Sequence, residues 1–375
     1  MRDFRLILCI SLLAGCCYAM GIKPQRVSVI TGASGYVGRA VAHALLEEKN
    51  VEQKILCLVR PTRVESENDY WEDHKAACIE VFPYDMLDGG KSVQAALEAA
   101  MTTDEKQQPS DSSSLCVYHV ASWFSPSEKH VQMAKDNVKG TEDLVRVLGK
   151  FPGCRLVVTS SMAAVRATNQ EPSNGKFYTA TDWNTVSKLG DNWGASYQWS
   201  KAESERRAWA IAKELNINMV SLCPSFVFGP PASTELSSNS FSTELVGQWI
   251  KGESTVQSRL FVDIRDVAQA HVAAGTLLHA VGKRYIVSTE KRLKSEAVAT
   301  VLKKMCTEAN LGNPDKITHD AVFTGGSIPI GEKEVEAEER LLKDLDVSLR
   351  PAETTIADMA EFLIQSFKKD ATKAT

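Results

Sequence analysis

The sequence predicts an α/β fold in which a doubly wound parallel sheet is followed by a smaller C-terminal lobe. In the stretch Val27–Gly38, V-S-V-I-T-G-A-S-G-Y-V-G, a short apolar strand runs into three glycines and then into a helix. From Arg26 onward, short apolar runs alternate with helix-like segments, which is typical of a parallel sheet covered on both faces. The chain has 375 residues and 43% of them are hydrophobic, which is enough for one large core or two unequal ones.

The three glycines predict a dinucleotide-binding turn of the Rossmann type. In such a turn one glycine takes a backbone geometry closed to other residues, one lets a pyrophosphate approach the main chain, and one lets helix pack on strand. The free N–H groups of the first helical turn then face the phosphates. A glycine triplet alone is as often an ordinary turn, and its place directly after an apolar strand favours the cofactor site. The predicted contacts are Gly32, Ser34, Gly35, Tyr36, Val37 and Gly38.

Strands and helices alternate through the first part of the chain. The predicted strands are Val27–Thr31, Ile55–Arg60, Cys78–Phe82, Leu115–Val120, Leu156–Ser160 and Met219–Cys223. The predicted helices between them are Tyr36–Lys49, Ser92–Met101, Glu128–Lys150 and Ser196–Asn216. The polar segment Thr102–Ser114 is expected to be an exposed, mobile insertion at the sheet edge remote from the cofactor.

Three divisions of the chain follow from this pattern. We expect residues 1–20 to form a signal-like or anchor segment, residues 21–230 mainly a dinucleotide-binding Rossmann domain, and residues 231–370 mainly a substrate-binding lobe, with elements exchanging between the lobes. The second lobe carries the predicted helices Thr243–Lys251, Val267–Leu278, Ser295–Ala309 and Glu353–Lys368. We expect it to close over the nicotinamide.

The residue at the end of the second predicted strand indicates which of the two nicotinamide cofactors the protein binds. An acidic residue there binds the ribose hydroxyls, whereas a cation accommodates a ribose phosphate. The sequence offers Arg60, within L-V-R-P-T-R, and no acid. NADP(H) is therefore favoured over NAD(H); the alternative is that Arg60 only extends along the sheet edge. Further cofactor contacts are expected after the third and fourth strands, at Asp85, Met86, Val120, Ala121 and Ser122.

A tyrosine and a lysine suggest the chemistry. Tyr197 and Lys201 are four residues apart on a predicted helix, so both project from one face. A nearby ammonium group lowers a tyrosine pKa by favouring the phenolate, which makes Tyr197 a candidate general acid-base. Thr159-Ser160-Ser161 ends the fifth strand and offers a hydroxyl donor at the same edge. Taken singly, each feature is more often a chance spacing, a turn or a helix cap.

At this point the chain resembles the extended short-chain dehydrogenase/reductases, and most closely their dihydroflavonol reductase and cinnamoyl-CoA reductase branch. The motifs are T-G-A-S-G-Y-V-G, V-V-T-S-S-M-A-A-V, Y-Q-W-S-K-A-E-S-E, L-V-R-P, H-V-A-S, D-N-V-K-G-T, C-P-S-F-V-F-G-P and F-V-D-I-R-D-V-A-Q-A-H. The resemblance implies that Ser161 hydrogen-bonds the substrate oxygen, that Tyr197 delivers the proton, and that Lys201 holds the nicotinamide ribose and tunes Tyr197. It also implies that Asn137 supports the site, that Pro224 to Val227 pass under the nicotinamide, and that Arg60 meets the ribose phosphate.

These features predict an NADPH-dependent oxidoreductase that reduces an aldehyde or ketone, or oxidises the matching alcohol. Two rival functions stay open. One is an NAD-dependent nucleotide-sugar epimerase or 3β-hydroxysteroid dehydrogenase/isomerase-like enzyme, which the missing acid at Arg60 disfavours. The other is a non-catalytic dinucleotide-binding protein, which the presence of all three catalytic residue types disfavours.

Six aromatic residues are expected to line the substrate mouth and to favour a flat or apolar carbonyl compound. The alternative is that the same rings pack the joint between the two lobes. The residues are Trp123, Phe124, Trp183, Trp193, Phe226 and Phe228.

Composition favours a small-molecule partner. The net charge of −4 provides no basic field for nucleic acid. The seven histidines are scattered, and neither H-E-x-x-H nor Cys-x-x-Cys occurs, so no metal site is predicted. A homodimer is expected from the resemblance.

The first twenty residues look like a targeting segment. Arg2 and Arg5 precede the apolar run Leu6–Ala19, which has signal-peptide length and is short for a membrane span. Such a segment would tether the protein to a membrane or direct it to the secretory pathway, and Met20 is an alternative start. The later cysteines mostly fall in predicted strands and no Asn-x-Ser/Thr acceptor occurs, which favours a reducing compartment.

Overall fold

A seven-stranded parallel sheet lies at the centre of the protein. The computed structural model describes residues 25–49, 51–102, 115–233, 240–320 and 328–373. The strands of the sheet are β1 (Gln25–Thr31), β2 (Glu52–Val59), β3 (Ile79–Pro83), β4 (Leu115–His119), β5 (Arg155–Thr159), β6 (Asn218–Pro224) and β9 (Arg284–Val287). Their order is β3-β2-β1-β4-β5-β6-β9, with every pair parallel. The order reverses at β1 and β4, which is where a doubly wound sheet opens a ligand crevice.

Helices cover both faces of this sheet, as the alternating pattern predicts. One face packs against α1 (Tyr36–Leu46), α2 (Val64–Asp73), α8 (Ile264–Thr276) and α10 (Glu338–Leu345). The other face packs against α3 (Lys91–Thr102), α4 (His130–Leu148) and α6 (Trp193–Glu214), with the short α5 (Met162–Val165) following β5. Because both faces of the sheet are covered, the central strands carry runs of consecutive buried apolar residues, for example Leu56, Cys57 and Leu58 in β2.

A second, smaller core lies beside the sheet. It is formed by the two-stranded parallel pair β7 (Phe226–Phe228) and β8 (Phe261–Asp263) with α7 (Phe241–Lys251), α9 (Ser295–Glu308) and α11 (Ala352–Lys373). Its centre holds Phe228, Trp249 and Phe261. Helix α8 and strand β9 come from the same half of the chain but pack on the large sheet. No helix in the described ranges is long and apolar enough to span a bilayer.

All six predicted strands form, with ends shifted by a few residues, whereas β7, β8, β9, α2, α5 and α10 were not predicted. Strand β9 has only four residues, which is too short for a periodic signal. Helix α2, V-E-S-E-N-D-Y-W-E-D, lacks an apolar stripe because its inward face carries a carboxylate, that of Glu67. Residues 1–20 and 103–114, to which the targeting segment and the mobile insertion were assigned, lie outside the described residues.

A fully buried ion pair explains the polar inward face of α2. Arg39 of α1 donates from Nε to Glu67 Oε1 at 3.0 Å and from Nη2 to Oε2, and both side chains are completely buried. The guanidinium also lies over the Tyr70 ring, with Cζ 4.0 Å from the centroid, and donates to Ser233 Oγ at 2.8 Å. Arg39 therefore connects the first helix to α2 and to the segment that leads into the smaller lobe.

The glycine turn is too tight for any side chain at its third position. Gly32 has φ +70, and a Cβ added at Gly38 would lie 2.2 Å from the Gly32 carbonyl oxygen. The contact atom belongs to the backbone, so the strand-to-helix turn would have to open.

We therefore expect Gly38→Ala to lower the free energy of unfolding by about 1–3 kcal/mol, the usual cost of overpacking. Gly247→Ala in α7 is the matched control, because its Cβ would meet only Phe367 Cζ at 3.5 Å and alanine favours helix. Urea unfolding of both variants without cofactor measures the difference. Equal midpoints for the two variants would contradict this account of the turn.

Candidate active site

The carboxyl ends of β1 and β4 are held together by one threonine. Thr31 Oγ1 accepts from the backbone N–H groups of Val120 and Ala121, each at 3.2 Å. Ala121 in turn lies against the glycine turn, since a Cβ at Gly32 would be 3.0 Å from Ala121 Cα. The segment after β4 and the glycine turn therefore form one continuous edge.

This edge fits a dinucleotide. The N-cap of α1 is Gly35, which supplies no side-chain oxygen, so the first helical N–H groups have no side-chain cap. A helix N-terminus with uncapped N–H groups and no Cβ over the turn is suited to a pyrophosphate. Gly32, Ser34, Gly35, Tyr36, Val37 and Gly38 would hold the diphosphate here.

The remaining predicted cofactor residues lie along the same edge, with different surroundings. Arg60 is exposed directly after β2. Asp85 is also exposed, and its carboxylate accepts from Leu87 N at 2.8 Å. Met86 is buried against α4, where a Cβ at Gly140 would be 2.1 Å from Met86 Cγ. The Met86 side chain thus belongs to the core, which leaves its backbone as the part available to a cofactor.

The crossing segment after β4 is fixed by Asn137. Its Oδ1 accepts from Trp123 N at 2.7 Å and its Nδ2 donates to Trp123 O at 3.1 Å. One buried amide therefore holds both main-chain groups of a residue two positions after Ala121. The side chain acts on the loop, which is consistent with the supporting role that the resemblance implies.

His119 fills the space behind this segment in a neutral form. Thr141 Oγ1 donates to Asn137 O, so His119 Nε2 donates to Thr141 Oγ1 at 3.1 Å. Its Nδ1 then accepts from Thr31 Oγ1 at 3.0 Å. Burial, with Lys201 nearby, lowers the pKa of His119 to about 3. The imidazole is therefore a hydrogen-bond bridge at neutral pH and carries no charge.

The structure brings Ser161, Tyr197 and Lys201 together. Ser161 is the N-cap of α5, where its Oγ accepts from Ala163 N at 3.1 Å, and its hydroxyl also hydrogen-bonds Tyr197. Lys201, one turn along α6 from Tyr197, donates from Nζ to Thr159 O at 3.2 Å. Ser161 and Tyr197 thus meet near the carboxyl edge of β5, and Lys201 is held at the same edge by its bond to Thr159.

The pKa of Tyr197 differs from the sequence-based expectation. Burial raises it to about 12, and the hydrogen bond with Ser161 only partly offsets this rise. The expectation that the Lys201 ammonium lowers this pKa is wrong for the protein alone, because the ammonium bonds a strand carbonyl and the phenol is shielded from water. Burial also lowers the pKa of Lys201 to about 8, with Cys223 and Glu205 acting in the opposite direction.

Glu205 is a residue of this site that the sequence analysis missed. It follows Lys201 by one turn of α6, and it accepts from Arg284 Nε at 2.7 Å and Nη2 at 3.0 Å. Ser160 and Ser221 each donate their hydroxyl to it at 2.6 Å. Although burial acts to raise it, the pKa of Glu205 is lowered by Arg284 and by these hydroxyls. The i, i+4, i+8 spacing from Tyr197 is the signal that could have indicated it.

The two serines after β5 therefore have different partners. Ser160 is buried and turned towards Glu205, whereas Ser161 is turned towards Tyr197. This division agrees with the choice of Ser161 over its neighbour as the hydroxyl that faces a substrate.

Two rings pack against Tyr197, and two more join them to form one aromatic group. Phe124 lies 4.6 Å from Tyr197 and 5.3 Å from Phe241, and Trp193 stacks on Tyr197 at 6.2 Å, all between ring centroids. Phe226 joins this group through Phe241 at 6.2 Å. Together with Tyr197 itself, these side chains form an aromatic mouth, of which Phe241 was not predicted.

Two of the predicted mouth residues lie elsewhere. Phe228 is fully buried between Trp249 and Phe261 in the smaller core. Trp183 lies beneath the Arg284 guanidinium, whose Cζ is 3.9 Å from the ring centroid. Trp123 is 41% exposed, and its position is set by its backbone bonds to Asn137. Phe228 therefore packs inside the smaller core and does not line the mouth.

Pro224 ends β6 and Val227 lies in β7, so both flank the bend between the two sheets. Tyr36, on the other side of this bend, donates its hydroxyl to Gly229 O at 2.6 Å. Across the described ranges, no three His, Cys, Asp or Glu side chains converge as metal ligands.

The fold and this edge define a dinucleotide-binding protein of the Rossmann type. The chain belongs to the NAD dependent epimerase/dehydratase family, whose model matches residues 28–287. This confirms the resemblance to the extended short-chain dehydrogenase/reductases that the motifs indicated.

Individual relatives and a solved structure agree with this assignment. The chain is 27% identical over 343 residues to a cinnamoyl-CoA reductase (CAD2) of Medicago truncatula, with 90% of this chain and 95% of that protein covered. It is 27% identical over 294 residues to a putative NADPH-dependent methylglyoxal reductase (GRP2) of Candida albicans, covering 73% and 81%. The crystal structure of yeast methylglyoxal/isovaleraldehyde reductase Gre2 with NADPH is similar in fold, with a TM-score of 0.74 at 21% identity over 92% of this chain and 99% of that one.

The buried Glu205–Arg284 pair provides a test of how the site is built. Glu205→Gln should lower the free energy of unfolding by about 3–5 kcal/mol, because Arg284 would keep its charge in the interior without a counter-ion. Glu203→Gln on the same helix is the control: it pairs with Arg207 near the surface and should cost less than about 1 kcal/mol. Denaturant unfolding compares the two, and a similar loss in both would show that Glu205 is an ordinary helix residue.

Proposed function

We propose that the protein is an NADPH-dependent reductase of an aldehyde or ketone, which also oxidises the matching alcohol in the reverse direction. The observation that carries this proposal is the placement of the Ser161 hydroxyl beside the Tyr197 phenol, with Lys201 one helical turn away. The family membership, the relatives named as reductases and the cation at Arg60 support it.

The residues act in a fixed order in this proposal. Ser161 donates a hydrogen bond to the carbonyl oxygen of the substrate and Tyr197 gives that oxygen a proton. NADPH, when bound, supplies the hydride to the carbonyl carbon, so the products are an alcohol and NADP⁺. With NADPH bound, Lys201 would hold the nicotinamide ribose, and its positive charge would favour the phenolate that Tyr197 becomes on giving up its proton.

Replacing Tyr197 with Phe tests the acid. The variant should lose about a hundred- to ten-thousand-fold in turnover, because no other proton donor lies against Ser161 among the described contacts, while NADPH binding stays close to that of the wild type. Tyr285→Phe is the control, since its hydroxyl contacts Asp344 on α10, away from the site. NADPH absorbance with a carbonyl panel and NADPH fluorescence measure the two properties. An undiminished rate in Tyr197→Phe would refute the assignment.

Replacing Arg60 with Glu tests the cofactor. Loss of a charged partner and gain of a repulsive one should weaken NADPH binding by about tenfold or more, with NADH binding unchanged or improved. Lys91→Glu makes the same change of charge at an exposed residue that begins α3, and should leave both affinities as they are. Equal effects of Arg60→Glu on the two cofactors would assign the ribose phosphate to other residues.

The quaternary structure and the N-terminal tether are also proposals. A homodimer through α4 and α6 would use a polar surface, because their outer faces carry the ion pairs Arg207–Glu142 and Lys139–Asp143, each at 2.7 Å.

The apolar run at residues 6–19 would provide the tether or secretory signal, and the free cysteines of the described residues are consistent with a reducing compartment.

A further inference from the structure

Two arginines bind a single buried carboxylate beside the aromatic mouth, and a third arginine lies near one of them. Glu334, which is buried, accepts from Arg292 Nη2 at 2.8 Å and Nε, and from Arg166 Nη2 at 2.9 Å. Arg259 is close enough to Arg292 for the positive charge of Arg292 to lower the pKa of Arg259. We call Arg166, Arg259 and Arg292 the arginine cluster. The three guanidinium groups carry three positive charges, and Glu334 supplies one negative charge against them.

Arg259 has no acidic partner in the described part of the chain. Its Cζ lies 4.1 Å from the Phe226 ring centroid, and its guanidinium donates to the neutral side chain of Gln257. Its Nε is buried without a hydrogen-bond acceptor, and so is the Nε of Arg166. A buried N–H group with no acceptor is costly, and in a guanidinium this cost falls on a charged group.

The pKa values of Arg259 and Arg166 also indicate that these cations lack full compensation by negative charge. Burial, and then Arg292, lower its pKa to about 10, and no carboxylate raises it. Burial likewise lowers the pKa of Arg166, with Glu334 acting against that shift. Both cations are therefore held in surroundings where an additional anion would be stabilising.

The position of the arginine cluster links it to the reacting groups. Arg166 directly follows α5, the helix that begins after Ser161. Phe226, which Arg259 covers, belongs to the aromatic mouth through Phe241. Arg166 thus connects the arginine cluster to Ser161 through α5, and Arg259 connects it to the aromatic mouth.

We propose that the arginine cluster binds an anionic group, a carboxylate or a phosphate, that is carried by the carbonyl substrate. The fork of N–H donors on a guanidinium matches the oxygens of either anion, and the fork of Arg259 is paired only with the neutral side chain of Gln257 in the described residues. The aromatic mouth then holds the carbon skeleton between the anion and the reacting carbonyl. This inference rests on the proposed function and adds a charge to the substrate class.

Matched carbonyl pairs and an Arg259→Gln variant test the proposal. The carboxylate arm compares 4-oxobutanoate with its methyl ester, and the phosphate arm compares glyceraldehyde 3-phosphate with glyceraldehyde. In at least one arm, wild type should prefer the charged member. Arg259→Gln should raise KM for that member by about tenfold or more, while kcat and the neutral partner's constants change little. The arm that responds identifies the anion.

Two further variants separate a specific contact from a general loss of charge. Arg259→Lys keeps the charge and loses the planar fork, so its KM should lie between those of wild type and Arg259→Gln. Lys294→Gln removes an exposed cation at the start of α9 and should behave as wild type.

A binding measurement keeps the outcome independent of turnover. With saturating NADP⁺, inorganic phosphate or succinate should raise the melting temperature of wild type more than that of Arg259→Gln, relative to chloride at equal ionic strength. Equal effects of Arg259→Gln on charged and neutral members, together with equal melting shifts, would overturn the arginine cluster as an anion site. Reduction of neither member by wild type, with the melting difference intact, would instead count against the reductase proposal alone.

Discussion

The buried carboxylate of Glu205 is the constraint on which the site depends. It connects α6 to three neighbouring strands at once, through Ser160 after β5, Ser221 in β6 and Arg284 in β9. A charge in the interior is tolerated only when its partners are in place, so the helix has one permitted axial position and rotation against the sheet. Tyr197 and Lys201, on the same face of that helix, are thereby fixed relative to the strand ends.

A similar use of polar groups governs the neighbouring strands. Thr31, His119, Thr141 and Asn137 form a continuous chain of hydrogen bonds from the end of β1 to α4. Because every member is neutral, the chain orders the cofactor edge without adding charge to it. Charge is concentrated instead at Lys201 on one side and at the arginine cluster on the other. At the cofactor edge, the groups that order the backbone are therefore distinct from those that would bind anions.

Much of this architecture could be predicted from the sequence, and the exceptions have a common physical origin. Ser161, Tyr197 and Lys201 were predicted to lie at one edge because strand ends and i, i+4 spacing indicate where side chains project, and the family resemblance chose Ser161 within the serine pair. Glu205 was missed because a glutamate in a helix usually faces water, and its partner Arg284 is 79 residues away. Helix α2 was missed for the same reason, since Glu67 replaces an apolar residue on its inward face. Phe226 and Phe228 share a face of β7, and only the position of α7 decides which one reaches the mouth.

The connection between α1 and the bend after β7 has a consequence for protein engineering. Tyr36 holds Gly229, and Arg39 holds Ser233 while remaining locked to Glu67. The conformation of the segment Gly229–Ser233 therefore depends on contacts with α1 as well as on the smaller lobe. A chimera that takes the smaller lobe from a relative must carry compatible residues at positions 36, 39 and 67. Otherwise the contacts between α1 and the segment Gly229–Ser233 will be lost.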